Sequence, residues 1–496
     1  MTKLGCKAYL VPYSSRGNRI TATLGQVFMG SSRSIRQQRT AETEVLGKQA
    51  TPRGRVTVAL ILCFCTTVQW SGVMLGPVQV SDIALALALV SIGVGSRVGF
   101  RRAVPTGAWI LLLAFCAANI ISQVAPPDPS WLTMRLHGGG DGDRVSASTR
   151  SGLGQAGLGA WAVPVKLAIS TVGAWVAMSS LHNLRPHRAR SLFASAWLFG
   201  ATVSGAVAYA ETRGLNLSDH LARPLGEQTR ASGLAFYPNS LALYLGSAVP
   251  VAAFLLRRKR LIILAAPCLV SIWAGLLASD SRIGIASAVI ATVLIPFLAG
   301  KKASGTTIVI GFIGVCLTAP LIVQAIAWVA ANTRLAPGAG SGSDFGRQRV
   351  NEQSMLDFLH SPVFGIGFEF GGGGISVPLG ILSASGLLGA AGVFCFLAWW
   401  AGSARAGWAD PDIRIVVVMT LVILAVMCYQ NNLVDRGQYL PLLLTVLWAR
   451  HFRAPSLDSV PAPPTRSSRT DEALSLSDHR SRPPLTAASP RQSTST

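Results

Sequence analysis

The sequence predicts an all-α polytopic membrane protein with about twelve transmembrane helices and one large extracytoplasmic loop. Three observations carry this expectation. Of the 496 residues, 50% are hydrophobic and only 13% are charged, roughly half the charged share of an average soluble domain, and the mean hydropathy is +0.45. Apolar stretches of roughly 17 to 25 residues, each long enough to cross a bilayer, recur down the chain. The formal net charge of +22 is carried by tails and alternate short loops. That distribution is what the positive-inside rule produces, with attraction to anionic membrane lipids as a by-product; it is not a nucleic-acid-binding face.

Taken in order, residues 1–55 are polar and basic and lack sustained helical periodicity. A secretory signal would be shorter and end in a small-residue cleavage site, so a disordered basic cytoplasmic tail is expected. The membrane domain is expected over 56–450, with apolar segments at 56–76, 78–95, 104–124, 160–181, 191–210, 239–256, 261–279, 283–299, 306–330, 377–400, 414–430 and 437–450. The tail 451–496 is rich in Ser, Thr, Pro and Arg and is also expected to be disordered.

The loops test that division. One set is basic: Arg97/Arg101/Arg102, Arg185/Arg188/Arg190, Arg257 to Arg260, Lys301-Lys302 and Arg405/Arg414. The intervening set is neutral or mixes acid with base: 76–79, 125–159, 211–238, 279–282, the long outer loop 331–376, and 430–437. The first set is expected in the cytoplasm together with both termini, and the second outside a cytoplasmic (inner) membrane. Of eight cysteines, seven fall in apolar segments and Cys6 lies in the tail, so no disulfide framework or CxxC metal pattern follows. His137 and His220 stand in separate outer loops without ligand spacing, and no metal site is expected from them.

Chemistry is expected on the outer side, where the longer loops lie. Arg230 precedes Gly233 and Pro238-Asn239, Asp280-Ser281-Arg282 forms a short polar turn between apolar segments, and Arg347 stands in the long loop. Three guanidinium groups near the outer leaflet suit a diphosphate, because each offers forked donors and stays charged. The plainer alternative is that each arginine snorkels to the interface or pairs with a neighbour such as Asp280, and Lys166 fits snorkelling too. As bases, Glu369 beside Gly371 to Gly374 and His360 before Ser361-Pro362 are the candidates, with Glu352 and Asp357 behind them; a solvated loop histidine at 360 and a structural role for Glu369 are the simpler readings. The glycines from Gly365 to Gly371 lack a preceding strand and the spacing of a dinucleotide fingerprint.

These residues resemble the O-antigen ligase and polymerase family. Arg230-Ala-Ser-Gly233 through Pro238-Asn239 is similar to the family's segment before a mid-chain helix, and Ser281-Arg282 to its Ser-Arg helix entrance. Arg347, with Pro362-Val-Phe-Gly365-Ile-Gly367 fifteen positions on and then Gly386-Leu-Leu-Gly389, is similar to its large loop and following helix. The resemblance extends over roughly 81–450, including Ser81-Asp82 at an early helix start. It implies a metal-independent membrane glycosyltransferase without cofactor, moving glycan from a polyprenyl-diphosphate-linked donor to a hydroxyl acceptor on glycan or lipid. Arg230 and Arg282 would then hold the leaving diphosphate, and Arg347 would order the loop or touch the donor. Fixed cations meet the charge that develops on the bridging oxygen. The sequence departs from the family at the His-Asn pair eleven residues before Gly386, where Ile375 and Ser376 stand, and at the loop aromatic, replaced by Asn351. A transporter or flippase of a lipid-linked or amphipathic solute, and a non-catalytic glycan-binding relative, are the alternatives.

Overall fold

The structure is a computed structural model that describes residues 52–75, 78–95, 104–125, 128, 131, 158–185, 188–215, 230–256, 262–299, 341–368, 376–429, 433 and 435–453. The chain divides into two compact units, Met1–His451 and Phe452–Thr496, and the first holds the helical bundle. Among the described residues the fold is helical, apart from one antiparallel hairpin of two two-residue strands. In chain order the elements are α1 (Pro52–Thr67), the hairpin β1 (Met74–Leu75) and β2 (Val78–Gln79), α2 (Val80–Gly95), α3 (Thr106–Val124) and α4 (Leu158–Ala168). A π turn (Ile169–Gly173) joins α4 to α5 (Ala174–Leu184), followed by α6 (Ala189–Glu211), α7 (Pro238–Leu256), α8 (Ile262–Ser279) and α9 (Arg282–Ala299). The last four are α10 (Ser341–His360), α11 (Val377–Ala406), α12 (Pro411–Met427) and α13 (Arg436–Arg453).

Among the described residues, five helical runs are long and apolar enough to cross a membrane: Thr106–Val124, Trp161–Leu184, Ala189–Glu211, Pro238–Leu255 and Val377–Ala406. Eleven of the twelve apolar stretches read from the sequence coincide with helix, and the twelfth, 306–330, lies outside the described residues. The differences lie at the ends. The first stretch stops being helix at Thr67, and its remainder folds through turns into the β hairpin. The fourth carries the π turn, and α11 runs six residues past the apolar stretch to Ala406. Of the long loop, residues 341–368 and 376 are described, and much of that span is α10.

The core is built around α7, which packs against α6, α8, α9 and α12. Small side chains let backbones approach where these helices cross. A Cβ on Gly275 would lie 2.6 Å from Gly205 Cα, and one on Gly284 would lie 2.3 Å from Ala242 Cβ. Such contacts are how helices associate when both solvent and core are apolar, since dispersion replaces hydrophobic exclusion as the driving term. The outer surface of the bundle is apolar in turn: Val94, Leu113, Phe199, Val270 and Phe394 are all exposed.

Helix α11 is broken at Gly386, whose φ of 59° and ψ of −157° leave the helical region. The break frees backbone groups that hydrocarbon cannot satisfy. Residues 362–367 supply the partners: Leu387 and Leu388 N–H donate to Pro362 and Val363 carbonyls at 2.8 and 3.0 Å, and Ile366 and Gly367 N–H donate to Ser383 and Ala384 carbonyls at 2.9 and 3.0 Å. At the start of the same helix, Ser376 accepts a hydrogen bond from Leu379 N–H at 3.4 Å as its N-cap. The residue that stands where the resemblance expects asparagine therefore has a capping role.

Candidate functional site

The segment from Arg230 to Tyr237 is held from both sides before it enters α7. The Glu211 carboxylate, at the end of α6, accepts from Ser232 and Gly233 N–H at 3.0 and 2.9 Å. Ser71 Oγ accepts from Phe236 N–H at 3.1 Å, which ties the segment to the turn after α1. Arg230 reaches the other way. Its Nε donates to Ser279 O at 2.9 Å, and its Nη2 to Asp280 O at 3.0 Å and to Asn239 Oδ1 at 3.2 Å. Those carbonyls close α8, so the guanidinium caps a helix C-terminus where positive charge is favoured. It also steadies the α8–α9 turn, in which Asp280 takes a left-handed φ of 47°.

Arg230 is thereby placed against the turn that leads directly to Arg282, the first residue of α9. Arg282 is exposed and Ser281 is buried. Arg347 lies within α10 at a position whose side chain is outside the described residues, as is the whole of Glu369. The structure therefore brings Arg230 and Arg282 to one turn and leaves the third arginine unplaced. His360 is exposed at the end of α10 and stacks on Trp131, with ring centroids 4.6 Å apart and planes within 3°.

A cavity of about 280 Å³ opens beside this segment. Phe236, Tyr237 and Ser240 form one wall, at the entry to α7. Ser71, Met74, Gln79 and Asp82 contribute from the turn, the hairpin and the first turn of α2, Lys166 from α4, and Asp435 with Arg436 from the entry to α13. Arg436, almost fully buried, pairs with Asp82 through Nε and donates from Nη1 to Gln79 Oε1 at 2.6 Å. The Gln79 N–H donates to Asp82 Oδ2 at 3.3 Å, which closes the network. Behind it, the buried Tyr244 hydroxyl donates to Asp435 Oδ1, and Gly437 N–H donates to the same oxygen at 3.3 Å. A side chain at position 437 is excluded, because its Cβ would lie 2.3 Å from the Tyr244 ring. Burial pushes the Asp435 carboxyl up to about 6, against the lowering effect of the Tyr244 and Gly437 hydrogen bonds and the Arg436 charge.

Two carboxylates and two cations thus face one another in a cavity at the end of an apolar bundle. Charge at such a position is costly unless it is paired or serves a ligand. Asp435-Arg436 stands as an ionisable pair at the edge of the last apolar stretch; what hides its importance in the sequence is distance, since Tyr244 lies 191 residues from Asp435 and Gln79 lies 357 from Arg436. Among the described residues no group of three or more His, Cys, Asp and Glu side chains is placed to hold a metal ion. Neither a scan against protein-family models nor a search of curated proteins finds a match to this chain.

Proposed function

We propose that this chain is a membrane glycosyltransferase: a glycan polymerase or ligase that moves glycan from a polyprenyl-diphosphate carrier to a hydroxyl acceptor on the outer face of the cytoplasmic membrane, spanning it about twelve times in the service of cell-surface polysaccharide assembly. The observation that carries this reading is the gathering of polar groups at one end of the bundle. The cavity and the Arg230-supported α8–α9 turn draw on the segments at 71–82, 230–240, 279–282 and 435–436, which the charge alternation assigns to the same side.

Arg282 adds chemical support. A cation in the first turn of a helix opposes the helix dipole. A phosphate oxygen beside it would gain from both the guanidinium and the N-terminal amides. Arg282 is exposed, so its removal leaves no buried cavity behind. In a strain lacking this gene, the wild-type chain is expected to restore long glycan. Arg282→Ala should leave carrier-linked single units accumulating, with the protein inserted at normal levels. Equal glycan length and yield from both would overturn the assignment.

The break in α11 favours a second reading, transport of a lipid-linked or amphipathic solute, because transporters house substrate sites at interrupted helices. Here the groups freed by the break are taken up by residues 362–367. Carrier-linked units stranded on the inner leaflet in the deletion strain would favour transport; units exposed on the outer leaflet but not joined would favour transfer.

A further inference from the structure

Transfer to a hydroxyl needs a group to take its proton. His360 is stacked on Trp131 and does not line the cavity, and Glu369 lies outside the described residues. Two carboxylates do line it. Asp82 is committed to the Arg436 ion pair and to the Gln79 N–H. Asp435 is held differently. Both hydrogen bonds it accepts among the described residues fall on Oδ1, from Tyr244 and Gly437, which leaves Oδ2 as the oxygen available to a molecule in the cavity.

Resting on the glycosyltransferase reading above, we propose that the cavity seats the acceptor sugar and that Asp435 is the general base of the transfer. Phe236 and Tyr237, packed edge to face with centroids 4.7 Å apart, offer the wall with an apolar surface for the C–H face of a sugar ring. Ser71 and Ser240 line the cavity beside them. The volume falls just below the range for drug-sized small-molecule sites, roughly 300–1,000 Å³, so it suits a single terminal sugar unit and not a lipid chain.

The step balances without a further reactant. The acceptor O–H bond breaks and its proton passes to Asp435 Oδ2. The oxygen forms a bond to the anomeric carbon of the donor, and the bond from that carbon to the carrier diphosphate breaks, with the electron pair leaving on the diphosphate. Tyr244 is a positioning residue: its hydroxyl holds Oδ1 and so orients the carboxyl. The charged and titratable groups around Asp435 are Tyr244 from α7, its neighbour Arg436, and, across the cavity, Asp82 from α2 and Lys166 from α4. Tyr439, on α13, also lies close enough to feel its charge.

A carboxylate held up to about 6 is ionised at neutral pH but protonated in mild acid, so turnover should fall as pH drops below that value. The test uses the full-length protein in vesicles and, as probe, carrier-linked glycan extracted from the deletion strain. Wild type is expected to transfer with an acid limb between pH 5 and 7, set by the value near 6. Asp435→Asn should lose roughly 100-fold or more in kcat with little change in donor KM, the range for removing a general base. Asp435→Glu should recover part of the rate, and Tyr244→Phe should move the acid limb. An Asp435→Asn rate within about threefold of wild type, or a wild-type rate flat from pH 5 to 7, overturns the role of Asp435 while leaving the glycosyltransferase reading standing. Absence of transfer by wild type, with intact protein and probe, overturns both.

Discussion

At the scale of the residue, the arginine with the clearest energetic role is Arg436. Its guanidinium is buried, paired with Asp82 and bonded to Gln79, so the hairpin, the start of α2 and the start of α13 meet on one side chain. Removing one partner of a buried pair leaves the other charge without compensation, at a typical cost of about 3–5 kcal/mol. Arg436→Met should therefore destabilise the protein by on the order of 3 kcal/mol, since Asp82 keeps some access to water. Asp82→Asn, which leaves Arg436 its bond to Gln79, should cost less, and the double variant should cost less than the two singles together. Unfolding midpoints in detergent for the four proteins check this; additive losses would mean that the two side chains do not act as a pair. Arg230 teaches the complementary lesson. Its residue type suggested an anion site, and its place in the fold adds a second task, closing α8 and supporting the turn before Arg282.

At the scale of the element, α11 shows which features a sequence reveals and which it conceals. Its apolar run declares a helix, but nothing local announces that the helix is interrupted. Gly386 is one glycine among several in Gly386-Leu-Leu-Gly389, and its left-handed φ of 59° is sustained by residues 362–367, which a reading by periodicity assigns to a loop. A Cβ at 386 would lie 2.5 Å from the Val363 backbone, and one at Gly365 would lie 2.4 Å from the Ala384 backbone. Gly386→Ala should undo this docking, with a loss of roughly 1–3 kcal/mol from the backbone conformation alone and more from the clash. Gly93→Ala, inside α2 with nothing within 4 Å of the added carbon, is the control and should be neutral or mildly stabilising. Thermal unfolding of the two variants separates the cases, and a Gly386→Ala midpoint equal to that of wild type would show that the break is not needed for stability. The start of α12, by contrast, is set locally: Asp410 accepts from Asp412 N–H at 2.9 Å as its N-cap, with Pro411 in the first turn.

At the scale of the whole molecule, the helices were legible because spanning length and composition are local properties, and the cavity was not, because it is made of contacts between distant segments. The alternation of loop charge bridges the two levels. It assigns the loops around 185–190 and 405–414 to one side, and in the structure Arg190 from the first binds Asp410 and Asp412 from the second at 2.6 and 3.1 Å. It assigns 76–79, 211–238 and 430–437 to the other side, and residues in or next to these meet at the cavity. A bundle whose basic loops touch one another at one end, and whose mixed loops touch at the other, is what a chain threaded back and forth through a membrane must produce. The positive-inside rule, which keeps the arginines in the cytoplasm, predicts an absolute direction, and labelling tests that prediction. Leu215 and Trp408 are both exposed and stand in turns of opposite sets. In a background with the eight native cysteines replaced, Leu215→Cys should react in intact cells with a membrane-impermeant maleimide, and Trp408→Cys only after the membrane is opened. Reaction of both from outside would break the alternation, while the reverse pattern would invert the protein and place the cavity on the cytoplasmic side, where a transferase for exported glycan could not meet its acceptor.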